Sequence, residues 1–201
     1  MKSSENLVYT ASRKMVKYEL IIAVNQDGII GITDASGNQR LAFNCREDMR
    51  HFRDTTMDHI LVMGRKTFES LPVRPLPGRI HIVLSRAPRK YDEKYTTMDN
   101  VFFSRLENLE EVIRPLVFPY SNRRVFVCGG EEIYRALLPR CERLHITHVI
   151  SQIELGPGES TSQFSYLETD YEETESKTSI DNTCVFRTLE RIKPSENSPK
   201  I

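Results

Sequence analysis

The sequence predicts an α/β fold: a single domain with a mostly parallel central sheet, a C-terminal antiparallel pair and helices on both faces. Three observations lead there. Apolar runs of strand length alternate with helix-like stretches through most of the chain, as crossover-connected parallel strands require. Beyond Ile150 the alternation stops, and two strand-like segments follow with no helix between them. The 201 residues, 39% hydrophobic, suit one core.

Taken in order, residues 1–15 read as a flexible N-terminal extension, with Met15 a candidate start, and 16–191 as the folded domain. Residues 18–24 (YELIIAV) form a buried strand, turned by Asn25–Gly28. Residues 31–41 are polar and contain glycine, which predicts a long loop. Asn44 with Glu47 makes an Asn-x-x-Glu cap for a helix, and Cys45, Met49 and Phe52 recur on its buried stripe. Residues 59–63 are a second strand, 65–71 a short helix and 80–84 a third strand. Residues 87–100 are loop, 101–103 a short strand and 106–113 a helix that turns Leu106, Leu109, Val112 and Ile113 to one side. Residues 124–128 are strand, 131–138 helix and 144–150 strand. Residues 171–174 and 185–190 make the closing antiparallel pair, and 192–201 read as a frayed tail.

Charge excludes some partners. Lys plus Arg and Asp plus Glu are 28 each, so no global basic field points to nucleic acid or an anionic membrane. Four cysteines without CxxC spacing argue against zinc and against a disulfide framework. The five histidines share no ligand spacing, so no metal is expected. No apolar run approaches a membrane span, and the N-terminus lacks a signal-peptide core. A reducing, cytoplasmic location is the expectation.

Candidate chemistry gathers at strand ends. Gly64 closes an apolar strand and opens a helix, with Arg65, Lys66 and Thr67 where helix-start amides are unpaired. A phosphate bound there would gain amide donors, a hydroxyl and charge. A solvated helix start is the plainer alternative. Gly129-Gly130 repeats the arrangement on another strand, and Ser85-Arg86 adds a cation at a third. No GxGxxG is present, so the usual dinucleotide fingerprint is missing. Asp48 lies at the margin of an apolar helix face, where desolvation would raise its pKa and suit it to a planar N–C–N edge or to proton handling. Its alternative is a solvated helix residue. Arg79 follows Pro75, Pro77 and Gly78. Such a stiff turn presents a guanidinium to a carboxylate, unless it simply ends at the surface. Tyr134 faces a ligand ring or packs its own helix.

Together these residues resemble the dihydrofolate reductase family over about residues 17–190. The blocks are AVNQDGIIG (23–31), LAFNCREDMRHF (41–52), MGRKTFESLPVRPLPGR (63–79), IVLSR (82–86), VFVCGGEEIY (125–134) and ITH (146–148), in the family's order. The resemblance implies NADPH-dependent reduction of 7,8-dihydrofolate to tetrahydrofolate, by hydride transfer to C6 and protonation of N5. It places the pterin-binding acid on Asp48 and its threonine partner on Thr147. Ala23 would flank both nicotinamide and pterin. Phe52 would stack on the substrate rings opposite Leu71 and Leu76, and Arg79 would clamp the glutamate α-carboxylate. Ile30 and Gly31 would begin the mobile loop over the cofactor. Gly64, Arg65, Lys66, Thr67, Leu84, Ser85 and Arg86 would hold the adenosine side of NADPH, with Arg65 and Arg86 reading its 2′-phosphate. Cys128 and Tyr134 would line the nicotinamide pocket. Gly129-Gly130, joined in the family by a cis peptide, and the following Glu131, Glu132 and Ile133 would border the pyrophosphate. The implied partners are dihydrofolate and antifolate inhibitors, and the implied state is a monomer.

The chain also departs from the family. Leu41-Ala42-Phe43 stands where Leu-Pro-Trp is usual, and the chain has no tryptophan. Phe43, at the catalytic position, keeps an aromatic surface without the indole N–H. Arg46 replaces a common proline. The loop ITDASGNQR is longer than the compact form, and LGPGESTSQFSYL lacks the usual Asp-Thr-x-Phe-Pro pattern near Phe164. The expectation is a working enzyme with altered lid dynamics. Two alternatives are a pyrimidine reductase of riboflavin synthesis, against which Asp48 and Arg79 speak, and a non-catalytic relative. In many protists the family's domain is fused to thymidylate synthase. The sequence suits both a stand-alone domain and a part of such a fusion.

Overall fold

Alternate residues of the central strands are buried on opposite faces of one sheet. Ile60, Val62, Val125 and Val127 join one apolar cluster, while Leu61, Met63 and Phe126 join the other. Strands buried on both sides read as unbroken apolar runs, which is why the sequence exposed them so clearly. The computed structural model describes residues 15–95, 98–118 and 122–192. The expected N-terminal extension and C-terminal tail lie, but for Met15 and Ile192, outside these residues.

The elements run β1 (Tyr18–Val24), β2 (Ile29–Thr33), β3 (Gln39–Leu41), α1 (Arg46–Thr56), β4 (Ile60–Gly64), α2 (Arg65–Ser70), β5 (Ile80–Leu84), α3 (Arg89–Tyr95), β6 (Val101–Ser104), α4 (Leu109–Val117), β7 (Val125–Val127), α5 (Glu131–Leu137), β8 (Cys141–Val149), β9 (Ser160–Gln163), β10 (Tyr171–Thr178) and β11 (Cys184–Arg191). The large sheet has the order β10-β11-β8-β1-β7-β4-β5-β6. It is parallel from β8 to β6, and β11 pairs antiparallel with both β8 and β10. Phe52, Phe68 and Tyr95 bring α1, α2 and α3 to one face, while Ile113 and Leu137 bring α4 and α5 to the other. Phe68 is fully buried, so Phe68→Ala would cost ~3–5 kcal/mol.

The expected class is borne out, and several local expectations are corrected. Residues 31–41 are not an open loop. β2 and β3 form a hairpin, and β9 pairs with β2 to complete a separate three-stranded sheet. Its polar edge strands gain from backbone pairing, which apolar periodicity does not reveal. Residues 87–100 contain α3, a charged helix (RKYDEKY) whose only large apolar groups are tyrosines. The helix expected over 106–113 begins as a 3-10 turn at Leu106–Asn108, with Leu106 exposed, and continues as α4 to Val117. Cys45, not Asn44, caps α1, because the Asp48 N–H donates to Cys45 Sγ at 3.5 Å. Glu47 pairs instead with Arg50. Met49 lies outside the buried stripe, at 50% exposure.

Candidate functional site

The carboxyl ends of β1, β7, β4 and β5 converge on one edge of the sheet. Ala23, next to last in β1, lies beside Thr147, its partner in β8, which in turn faces Phe186 of β11. α1 lays Asp48 over this point. Burial raises the Asp48 pKa, and a hydrogen bond from Thr147 offsets part of the rise. Thr147 is itself buried. The acid is therefore held by a hydroxyl rather than by a cation, and among the described residues it joins no ion pair.

An apolar wall adjoins it. Phe52 of α1, Leu71 and Leu76 after α2, and Cys128 after β7 all pack on the cluster of Ile21, Met63 and Phe126. Four residues distant in sequence thus share one surface. Arg79 is buried at 6% exposure. Among the described residues its Nε has no hydrogen-bond partner, and Nη1 makes a weak hydrogen bond to Met57 Sδ at 4.0 Å. Burial and the nearby Arg53 charge both lower its pKa, with Asp58 acting against them. A guanidinium left in that condition is costly unless a ligand anion completes it.

His81 supports the Arg79 turn. The Leu76 N–H donates to His81 Nε2 at 3.3 Å, and Asn100 Nδ2 donates to the Arg79 carbonyl at 2.8 Å. Burial, with Arg79's charge, pushes His81 down to about 4, so it stays neutral and able to accept. Sequence alone gave no sign of this role.

The second half of the edge is built for close approach. The Gly129–Gly130 peptide is cis, as the resemblance implied. Gly129 has φ +96°, and a Cβ there would lie 2.8 Å from the Tyr134 ring. Tyr134 is buried and donates its hydroxyl to the Ile21 carbonyl at 2.9 Å, so its hydroxyl serves packing. Gly64 N–H donates to Gly129 O at 2.7 Å. A Cβ on Gly130 would come 3.3 Å from Thr67 Oγ1, and one on Gly64 would come 3.3 Å from Ile133. The two glycine turns thus form a single cradle that side chains would fill.

Cations flank this cradle. Arg65 pairs with Glu69 and lies 5.4 Å over the Tyr91 ring. Tyr91 belongs to α3, the helix that sequence reading missed, and so was not foreseen. Lys66 and Arg86 are exposed, and Arg86 reaches Glu132 at 3.6 Å. Ser85 Oγ accepts from the Ala87 N–H. Leu84 and Ile30 are buried in the core cluster, so only their backbones could face a ligand.

The small sheet covers the same edge. Gly31 pairs with Leu41 and Ser162, and a Cβ on it would meet the Arg40 carbonyl at 3.2 Å. Gly28 has φ +75°, and a Cβ there would sit 3.0 Å from the Phe164 carbonyl. Arg40 pairs with Glu159 at 3.0 Å, and the Gln163 N–H donates to Glu131 at 3.4 Å. Phe43 packs with Ala23, Cys45, Val149, Cys184 and Phe186 below this sheet. Among the described residues no cluster of His, Cys, Asp or Glu could hold a metal, and no helix is long and apolar enough to cross a membrane.

A sequence profile described as dihydrofolate reductase matches residues 17–191. A dihydrofolate reductase of Mycobacterium leprae is 40% identical over 132 residues, 65% of this chain and 70% of the relative. Dihydrofolate reductase type 9 of Escherichia coli is 33% identical over 135 residues, 67% of this chain and 71% of the relative. A bifunctional dihydrofolate reductase-thymidylate synthase of Daucus carota is 34% identical over 149 residues, 68% of this chain but 27% of the relative. The chain thus spans about a quarter of such bifunctional relatives.

Proposed function

The chain belongs to the dihydrofolate reductase family, and from that premise we propose that its cleft reduces 7,8-dihydrofolate to 5,6,7,8-tetrahydrofolate with NADPH. The observation that carries this reading is a pair of incomplete groups beside one apolar wall. Asp48 is a partly buried carboxylate with a hydroxyl partner, and Arg79 is a buried guanidinium that, among the described residues, joins no ion pair and leaves its Nε without a hydrogen-bond partner. Phe52, Leu71, Leu76 and Cys128 form the wall. A ligand with a planar amidine-like edge, an aromatic middle and a terminal carboxylate satisfies all three at once.

In the proposed mechanism Asp48 accepts from the 2-amino group and adjacent ring nitrogen of the pterin, polarising the ring so that N5 takes a proton by way of water. Its raised pKa and the Thr147 hydroxyl keep the acid poised for that exchange. Phe52 orients the ring and Arg79 fixes the far carboxylate, which together set the approach of C6. NADPH suits the second half of the edge. The Gly64 and Gly130 cradle leaves room for a phosphate chain, and Arg65, Lys66 and Arg86 supply charge, with Tyr91 backing Arg65. When bound, the cofactor supplies the hydride. The small sheet excludes water, and Phe43 takes the place of the family's tryptophan without a ring N–H. The domain acts as a monomer.

NADPH carrying deuterium at the transferred C4 position, incubated with dihydrofolate, yields deuterated tetrahydrofolate on this reading. Oxidation of NADPH without label in the folate product would overturn it.

A further inference from the structure

Two cysteines that the proposed chemistry does not use lie in contact. Cys45 Sγ and Cys184 Sγ are 3.6 Å apart, both buried, although 139 positions separate them in sequence. Neither is in a disulfide. Cys45 caps α1, and Cys184 opens β11, held there by its N–H donating to Ser179 Oγ at 3.1 Å. Thr183 Oγ1 also stands 3.6 Å from Cys45 Sγ. Cys45 lines an open cavity of about 430 Å³ bounded by Phe43, Asn44, Arg46, Asp181 and Thr183. The wall of an open cavity thus includes one residue of the pair, which gives the side from which a small oxidant would approach.

We propose that Cys45 and Cys184 are a modification site: a dithiol that a low-molecular-weight disulfide oxidises to an intramolecular disulfide. The Cys45 thiolate attacks one sulfur of the small disulfide and expels a thiolate. The Cys184 thiolate then attacks Cys45 sulfur and expels the second. The protein loses two protons and two electrons, and the oxidant takes them up and leaves as two small thiols. The sulfurs must close from 3.6 Å to about 2.0 Å. That movement draws the cap sulfur away from the Asp48 N–H and ties the first turn of α1 to the sheet. Under a reducing poise the pair rests as two thiols. Burial raises the Cys184 pKa, so resolution by that thiol quickens as pH rises.

The test uses the full chain treated with oxidised glutathione while folded, then unfolded in denaturant with excess alkylating agent, digested and mapped by mass. A cross-linked peptide joining Cys45 to Cys184, lost on adding dithiothreitol, is the expected result. Cys128 and Cys141 stay alkylatable, and the oxidised protein melts several degrees higher because the bridge closes a long loop. Cys184→Ala gives no such peptide and no such rise. Full alkylation of Cys45 and Cys184 after oxidation would overturn the proposal. So would a stable glutathione adduct on Cys45, or a bridge through Cys128 or Cys141.

Discussion

Asp48 is held by forces that pull in opposite directions, and its two effects separate by mutation. Burial makes the carboxylate unfavourable in the folded protein, while the Thr147 hydroxyl partly compensates. A carboxyl with a raised folded pKa adds stability in acid that is lost as pH rises through that value. Asp48→Asn removes the buried charge, so at neutral pH it should melt higher than the parent by ~2–4 °C, about 1 kcal/mol, with the gain shrinking in acid. The same substitution should lower turnover at least ~100-fold, the scale of a lost acid–base group. Arg79 gives a complementary pattern. Arg79→Gln should weaken dihydrofolate binding by ~3 kcal/mol, roughly 100-fold, seen in KM more than in kcat, while leaving NADPH affinity in place. Both residues were legible in the sequence, because a charge beside an apolar stripe and a cation after a proline-rich turn each leave a pattern. The Cys45 cap was not legible, since Asn44 is the better capping residue type and only the backbone geometry chose its neighbour.

Among the elements, the turn that carries Arg79 depends on a neutral imidazole. His81 has its pKa pushed from 6.5 to about 4, chiefly by burial. A depressed folded pKa means stability present above the unfolded value and lost as pH falls through the folded one. The window is therefore 6.5 down to about 4, and the loss across it is on the order of 3 kcal/mol. His81→Gln keeps an acceptor for Leu76 without titrating, so its denaturant midpoint should fall less steeply over that window. The small sheet makes a separate prediction. Gly28→Ala forces a side chain into a left-handed φ and against the Phe164 carbonyl, costing ~1 kcal/mol or more. Limited proteolysis across residues 29–41 should quicken, and kcat should fall with the global melting temperature little changed. This sheet and α3 were the elements that sequence reading missed. Strands β3 and β9 are polar and mostly exposed or half-buried, β2 buries only Ile30 and Ile32 on either side of Gly31, and α3 is largely charged, so none shows the largely apolar run that marked β1, β4, β5, β7 and β8.

At the scale of the whole molecule, the candidate site reaches from one end of the sheet to the other. Asp48 and the glycine cradle lie by the carboxyl ends of β1, β4 and β7, and Arg79 stands just before the amino end of β5, while the charge of Glu19 near the amino end of β1 is satisfied internally. Glu19 accepts from His145 Nε2 at 2.7 Å and Arg124 Nη1 at 3.2 Å, and Arg124 Nε reaches His59 at 3.3 Å. Burial alone would raise the Glu19 pKa, but the His145 hydrogen bond and the Arg124 charge outweigh it, and the net shift is downward from 4.5. Its stabilisation is present above that value and disappears as pH falls below it. Glu19→Gln should cost about 3 kcal/mol at neutral pH, with the deficit closing in acid and ligand affinities unaffected. The parallel order β8-β1-β7-β4-β5-β6 brings strand ends from distant parts of the chain together. Apolar periodicity supplied most strands of the large sheet and the resemblance set Phe52 opposite Leu71 and Leu76, but that Cys128 packs on the same cluster as these three came only from the fold. The most direct measurement is the loss of nicotinamide absorbance when the chain meets NADPH and dihydrofolate, for the parent and for Asp48→Asn. Steady oxidation by the parent that requires dihydrofolate, and almost none by a variant that still folds and binds NADPH, is the expected result. Equal rates in the two proteins, or a parent that binds both ligands without oxidising NADPH, would contradict it.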